Sequence, residues 1–401
     1  MRVIAATFVE AVAQLRIHRV RVMLSLVGVA VAVAALTASV AMGDIVRQTS
    51  IESMEQSSGR PATFGFSAYS LEGDPIDADA LVEEAEAIAE RYDIRYMSPV
   101  TYLGGSVQLG DVRTDAQVMG VGVDYQAMHR VEVTDGRWFV ESDAERLAPP
   151  VVVNQYVMDM LGFASAAQHP TIALPDGRTA VVVGVIDSPM YQGWPYLWAL
   201  PDTAAAISGA DPAYAQPTIE MWVPEESADA VQTMVTRDLQ GAFPDAQVDS
   251  YRQDYAAYFD EAGDPTAFVQ QILLGISGVV LLLGALSLVN IAVITVRHRV
   301  RELGIRRAFG ASLSRVFVGV MLESVVGTVV AGVVGIMVVV LAYRLLLVEQ
   351  VIPLGLPGDL PAFPVWAAIV GLAVATAVGA IAGIIPAVVA VRSKVIDAIR
   401  F

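Results

Sequence analysis

The apolar residues of this chain fall into four long runs separated by segments of quite different texture. The first run, residues 22–43, carries no charged side chain. As a helix rising about 1.5 Å per residue it crosses a hydrocarbon core of about 30 Å. The second, 267–296, would be roughly 45 Å long, more than a bilayer needs, so one end projects beyond it. A third covers 316–347 and a fourth 365–391, separated by a proline-rich segment, 348–364, with Pro353, Pro357, Pro361 and Pro364. Ahead of the first run, in 1–21, Ile4, Phe8, Ala11 and Leu15 share one helical face, the pattern of an amphipathic helix lying on a membrane surface. Between the first and second runs, 44–266, β-rich stretches such as 150–153 and 179–183 alternate with helical patterns such as Asp79 to Tyr92, with Gly, Pro and Asp turns between them. That is the signature of a folded α+β domain. Near its end Tyr251, Tyr255, Tyr258 and Phe259 are predicted to share one helical face that packs on a neighbouring helix or the headgroup zone, and Gly263-Asp264-Pro265 to break that helix before the second run.

Charge orients this arrangement. Residues 1–21, 297–315 and 392–401 together hold 13 basic side chains against Glu10, Glu302 and Asp397, a net of +10, whereas 44–266 holds 11 arginines against 36 Asp and Glu, a net of −25. Lys and Arg near span ends mark the cytoplasmic side. Both termini, the 297–315 loop and the 392–401 tail are therefore expected inside, and the acidic domain outside. The expected fold class is a membrane α-helical protein with four transmembrane helices, N-in and C-in, and a large extracytoplasmic α+β domain between helices 1 and 2. The first run resembles a signal peptide at Ser39-Val40-Ala41, but it is longer than the usual apolar region of about 7–15 residues. With no cysteine among 401 residues, disulfides and thiolate metal sites are excluded, and His18, His129, His169 and His298 have no neighbour at ligand spacing.

Three local patterns carry the functional reading. In the fourth run Gly371, Ala375, Gly379, Gly383 and Ala387 recur every four residues, a face without bulky side chains that lets helix backbones approach closely in lipid. In the third, Glu323 is an ionisable group inside a span, costly unless paired or wet, and placed about two turns in, within reach of Arg306, Arg307 or a lipid headgroup. Between the second and third runs, the loop from Arg297 to Ser312 mixes arginines with Val300, Leu303, Ile305 and Phe309, and places glycines at 304 and 310. A positive loop needs the arginines but not the apolar groups; a short amphipathic helix docking into another protein explains both. The only lysine is Lys394, preceded by Ser393 and followed by Val395, so this sequence holds no Walker A loop. Gly-x-Ser-x-Gly and His-Glu-x-x-His are absent too. No catalytic residue and no metal site is assigned.

The stretch from Arg299 through Ser312, with Asn290 before it, Glu323 after it, and Pro386-Ala387 followed by residues 395–400, resembles the permeases of MacB/FtsX-type ABC transporters, the mechanotransmission class. In the acidic domain Asp135-Gly136-Arg137-Trp138-Phe139, then Val151-Val152-Val153-Asn154 with Leu161-Gly162, then Val182-Val183-Gly184-Val185, resemble the MacB-type periplasmic core. Val395 stands where the family more often has proline. The resemblance implies a bacterial plasma-membrane protein without cofactor in this chain, ATP and Mg being bound by a cytoplasmic ATPase partner. It also implies a second permease chain, in a homo- or heterodimer, the lipid bilayer and an envelope protein as further partners, and no nucleic acid. Arg299, Arg301, Glu302, Leu303, Gly304, Ile305, Arg306, Arg307, Ala308, Gly310 and Ala311 would couple to the ATPase. Export of a substrate from the outer leaflet or periplasm is the expected function. Transmission of motion to an envelope enzyme or binding protein, or a membrane receptor whose arginine loop signals inside, are the alternatives.

Overall fold

The computed structural model describes residues 19–70, 76–209, 216–298, 305, 307, 309, 312–349 and 362–392. In chain order, helix α1 (Arg19–Ser58) leads to β1 (Thr63–Ser70), α2 (Ala78–Arg91), β2 (Tyr96–Leu109), β3 (Val112–Val121), the single turn α3 (Tyr125–Met128), β4 (Asp135–Gly136), β5 (Pro150–Asn154) and α4 (Gln155–Leu161). There follow β6 (Thr171–Ala173), β7 (Thr179–Ile186), β8 (Tyr196–Ala199), α5 (Pro201–Ser208), β9 (Thr218–Trp222), α6 (Ala228–Ala242), β10 (Ala246–Arg252) and α7 (Tyr255–Ala262). The long helices α8 (Pro265–His298), α9 (Leu313–Glu349) and α10 (Val365–Arg392) complete the described chain. Contacts divide it into two compact units, one built from α8, α9, α10 and α1 up to Gln48, the other from Thr49–Asp264.

Among the described residues the helices long and apolar enough to cross a membrane are Leu26–Ser58, of which the part up to Gln48 belongs to the first unit, and Thr266–Arg297, Leu313–Leu345 and Val365–Arg392, which belong to it entirely. Helix α1 does not stop at Gly43, where the apolar run ends, but continues through the polar stretch to Ser58, fifteen residues further on. The interior of this unit mixes alanines with a few larger aliphatic side chains. Val29 and Val33 of α1, Leu288 of α8, Ala331 of α9, and Ala375 and Ala382 of α10 form one buried cluster.

Among the described residues the second unit holds a mixed sheet of ten strands with the order β10-β1-β9-β2-β3-β8-β5-β7-β4, and β6 pairs with β2 and β7 off that path. Pairing is antiparallel except for β3 with β8 and β5 with β7. Strand alternation sorts the side chains: Phe64, Phe66, Ile219 and Met221 point to one face and bury Leu81, Ala85 and Ile88 of α2 with Val235 and Leu239 of α6. The spacing of Leu81, Ala85 and Ile88 is that of one helical stripe, and Asp77 caps α2 by accepting hydrogen bonds from the amides of Asp79 and Ala80. In the other half of the sheet, α4 and α5 cover Val107, Val118, Val151, Val153 and Leu197, while the opposite face carries an aromatic cluster around Tyr125, Trp138 and Trp198.

The aromatic stripe expected upstream of the second span is corrected in one respect. Tyr251 belongs to β10, paired with Gly65 of β1, and an added Cβ at Gly65 would meet the Tyr251 ring at 2.8 Å. Helix α7 starts at Tyr255 because Asp254 caps it, accepting from the amide of Ala257 at 3.0 Å, and the same carboxylate accepts from the amide of Ala62. Tyr255, Tyr258 and Phe259 do lie on that helix, with neighbouring rings 5.5 Å and 6.3 Å apart. Gly263, at φ +77°, ends it before Pro265 opens α8.

Candidate functional site

Within the helical unit, the seams between helices are set by residues that lack side-chain bulk. An added Cβ at Gly371 of α10 would overlap the hydroxyl of Thr37 on α1, and one at Gly379 would overlap that of Thr328 on α9. Gly383 would meet Ser324 Cβ at 3.0 Å, and Gly332 of α9 would meet the Ala375 methyl at 2.7 Å. Gly371, Ala375, Gly379 and Gly383 are all buried. Between α1 and α8 the Ser39 and Ser277 hydroxyls are 2.5 Å apart, and Ser277 also donates to the carbonyl of Leu273 at 2.7 Å, whereas the Thr37 hydroxyl is buried without a hydrogen-bond partner among the described residues. Glu323 sits half-buried on α9, one residue before Ser324, and Asn290 is exposed on α8.

Of the residues expected to couple to an ATPase, Arg299, Arg301, Glu302, Leu303, Gly304, Arg306, Ala308, Gly310 and Ala311 lie outside the described residues. Ile305 is helical and half-exposed, and its carbonyl accepts from the amide of Phe309 at 3.1 Å. The Phe309 side chain is 89% exposed, an apolar ring with little protein against it. Arg307 donates from Nη1 to the carbonyl of Val391 at 3.3 Å, close to the end of α10.

In the sheet-bearing unit Trp138, Phe139, Val151, Val152, Val153, Asn154, Val182, Gly184 and Val185 of the motifs are buried, while Gly136 and Gly162 are exposed. Gly136 pairs with Gly184 so closely that a Cβ on either would run into the partner strand's backbone, which explains why both positions lack one. Arg137 forks across Asp143 at 2.6 and 2.8 Å, and Trp138 donates to the carbonyl of Val123 at 3.0 Å. Burial pushes the Asp143 carboxyl up, but the hydrogen bonds from Arg137 and from the amide of Val140, with the nearby Arg137 and Arg146 charges, more than offset this and hold it below the usual carboxylate range. Asn154 caps α4 by accepting from the amide of Val157, accepts from the amide of Tyr196, and donates to the carbonyls of Tyr191 and Trp194. Gly162 closes α4 at φ +74°.

Sequence reasoning missed the set of contacts made by the last turn of α1. Glu55 accepts from Arg130 Nη1 at 2.7 Å, and the carbonyl of Gln56 faces His129 Nδ1 at 3.2 Å. His129 Nε2 lies 2.6 Å from Glu220 Oε2 on β9, and its ring stacks on Tyr125 at 4.0 Å. Ser188 donates to Gln56 Oε1 at 3.1 Å, and Arg60 donates from Nε to the carbonyl of Ala127 at 2.8 Å. The His129 and Glu220 side chains are 0% and 3% exposed. Ninety-one residues separate that pair, and Gln56 is 73 residues from His129, so no local spacing announces them.

Residues 22–238 match the MacB-like periplasmic core domain, and residues 274–395 match the FtsX-like permease C-terminal domain. The chain belongs to the MacB/FtsX-type ABC transporter permeases. The permease is 27% identical over 413 residues to the Bacillus subtilis protein named uncharacterized ABC transporter permease YvrN, with 96% of each chain covered. It is 24% identical over 337 residues to the macrolide export ATP-binding/permease protein MacB of Bartonella quintana, covering 82% of the permease and 50% of that protein. The permease thus spans about half the length of that relative. Among solved structures, the periplasmic region of MacB from Actinobacillus actinomycetemcomitans covers 51% of the permease and 95% of that chain at 14% identity, with a TM-score of 0.40. Four apolar helices together with this family make the permease a multi-pass membrane protein, its mixed sheet and helix domain inserted after the first helix.

Proposed function

We propose that the permease is the transmembrane subunit of an ABC exporter whose ATP hydrolysis is supplied by a separate cytoplasmic ATPase. The observation that carries this reading is the pairing, in one chain without a Walker A loop, of a MacB-like core domain with an FtsX-like region, 274–395, that contains the arginine-rich loop. In this reading the membrane is the bacterial plasma membrane, both termini and the 297–315 loop face the cytoplasm, and the acidic domain lies outside. The charge asymmetry supports that orientation. The segment around Arg299–Ser312 seats in the ATPase, with Leu303, Ile305 and Phe309 as its apolar contacts; the 89% exposure of Phe309 supports a docking role. Two permease chains assemble, and closure of the ATPase dimer moves α1 and α8. ATP and Mg are held by the ATPase, and the permease's own residues receive and pass on the movement.

The substrate leaves from the outer leaflet or the periplasm, a reading supported by export in the printed name of the Bartonella quintana relative. Transmission of motion to an envelope enzyme or binding protein uses the same parts and differs in what the moving domain meets. The test is co-purification of the permease with an ATPase encoded beside it, followed by ATP hydrolysis in proteoliposomes. A stable complex is expected, with Glu302→Ala or Leu303→Ala lowering permease-dependent hydrolysis by about tenfold, on the order of 1.4 kcal/mol. A permease that binds no ATPase, or whose loop variants leave hydrolysis unchanged, overturns the assignment.

A further inference from the structure

The contacts of His129 fix a proton count. A backbone carbonyl only accepts hydrogen bonds, so Nδ1, 3.2 Å from the Gln56 oxygen, carries a hydrogen. At 2.6 Å, the line from Nε2 to Glu220 Oε2 also requires a proton, on whichever of the two atoms holds it. The pair therefore contains one proton more than a neutral imidazole beside a free carboxylate. Remove it, and the one proton left is drawn to Nε2 by a carboxylate that is 3% exposed, so Nδ1 turns a bare lone pair on the Gln56 carbonyl and the bond to the last turn of α1 is lost.

We propose that the His129–Glu220 pair is a proton-dependent clamp: with its shared proton it holds the last turn of α1, through the Gln56 carbonyl, to the sheet, and on losing that proton it releases the turn. The clamp is closed at lower pH and opens as pH rises through the point at which the pair gives up its proton.

The surrounding groups leave this pair as the element that responds. Tyr125 of α3 stacks on the imidazole, and burial pushes its phenol well above the ordinary tyrosine value. Burial, then the Glu220 charge, raises Tyr102 of β2, and burial pushes Tyr191 up to about 12. These phenols stay neutral through about pH 9. On α1, Glu55 is paired with Arg130, whose guanidinium is raised by that hydrogen bond and which also feels Glu52 and Glu132. Arg60 is bonded through Nε to the Ala127 carbonyl. Ser98 of β2 sits beside Glu220 in register, and Tyr251 of β10 lies across Gly65 from it.

This inference does not rest on coupling to an ATPase, and its test needs none. The sequence has no cysteine, so Ser57→Cys, on the last turn of α1, and Ala230→Cys, on α6, give a clean spin-label pair in the full chain held in nanodiscs. Electron–electron double resonance reads the distance distribution at about pH 6 and about pH 9. A narrow distribution is expected at the lower pH and one at least about twofold broader at the higher. In Glu220→Gln an amide N–H donates to Nε2 while Nδ1–H stays on Gln56, so a neutral imidazole satisfies both lines without a titrating proton, and the distribution is expected to be narrow at both pH values. Equal widths at the two pH values without the Glu220 substitution, or broadening of Glu220→Gln to the same extent, overturn the clamp. Should Glu220→Gln fail to fold, the pH comparison with Glu220 intact decides alone.

Discussion

The helical unit and the sheet-bearing unit solve the problem of close packing in opposite ways. Where α1, α9 and α10 meet, contact comes from what is missing: glycines at 371 and 379 leave room for the hydroxyls of Thr37 and Thr328, and alanines fill the remaining seam. In the Thr49–Asp264 unit, contact comes from bulk and from paired charge, with Phe64, Phe66, Tyr125 and Trp198 fully buried and Arg137 locked on Asp143. The difference follows from solvent. In water, burial of large apolar groups drives folding at about 25 cal/mol per Å². In lipid that drive is absent between helices, and fit of small surfaces, with van der Waals contact and hydrogen bonds, takes its place.

The comparison can be broken most severely in the sheet. Phe64→Ala removes a ring that is 1% exposed between β1, α2 and α6 and is expected to cost about 3–5 kcal/mol, read as a lowered denaturation midpoint of the full chain in detergent. In the helical unit the damage should come from adding volume. Gly379→Ala is expected to cost about 1–3 kcal/mol by thermal melting, because its methyl would occupy the place of Thr328 Oγ1. Pairing it with Thr328→Ala should recover part of the loss, the remainder coming from Val325 Cα at 3.0 Å and Thr328 Cβ at 3.1 Å, which still crowd the added methyl.

The charge pair sharpens the contrast through pH. Asp143→Asn should lower stability by about 1–3 kcal/mol at neutral pH. The folded carboxyl lies below its unfolded value, so its contribution is present above the ordinary carboxylate range and disappears as pH falls through the depressed folded value. The two proteins should therefore converge in stability in strong acid, which paired melting curves across that range will check. The smallest expected effect is Gly162→Ala. No atom lies within 4 Å of the added Cβ, so the cost is conformational alone, about 1 kcal/mol for φ +74°.

Legibility in the sequence follows the same division. The four membrane helices announce themselves because each is a continuous apolar run, and the stripe Leu81, Ala85, Ile88 gives α2 away by period. Tyr251 was readable as helical because 251, 255 and 258 fit a helix repeat; its place in β10 depends on pairing with Gly65, 186 residues earlier in the chain, which no local window contains. The α10 row Gly371, Ala375, Gly379 and Gly383 is visible as a period of four, yet the hydroxyls that occupy its gaps, on Thr37 and Thr328, are not. The His129, Glu220 and Gln56 cluster was illegible for the same reason. Three polar residues from separate parts of the chain acquire their meaning only when the sheet and the end of α1 bring them into one buried site.

The orientation of the arginine-rich loop carries the account's central claim, and cysteine accessibility measures it directly. Single substitutions Leu147→Cys, at a position 97% exposed in the sheet-bearing unit, and Leu303→Cys, in the loop, are treated with a membrane-impermeant maleimide in spheroplasts before and after permeabilisation. Immediate labelling is expected at 147, and labelling at 303 only once the membrane is opened. Labelling at 303 in intact spheroplasts would contradict it.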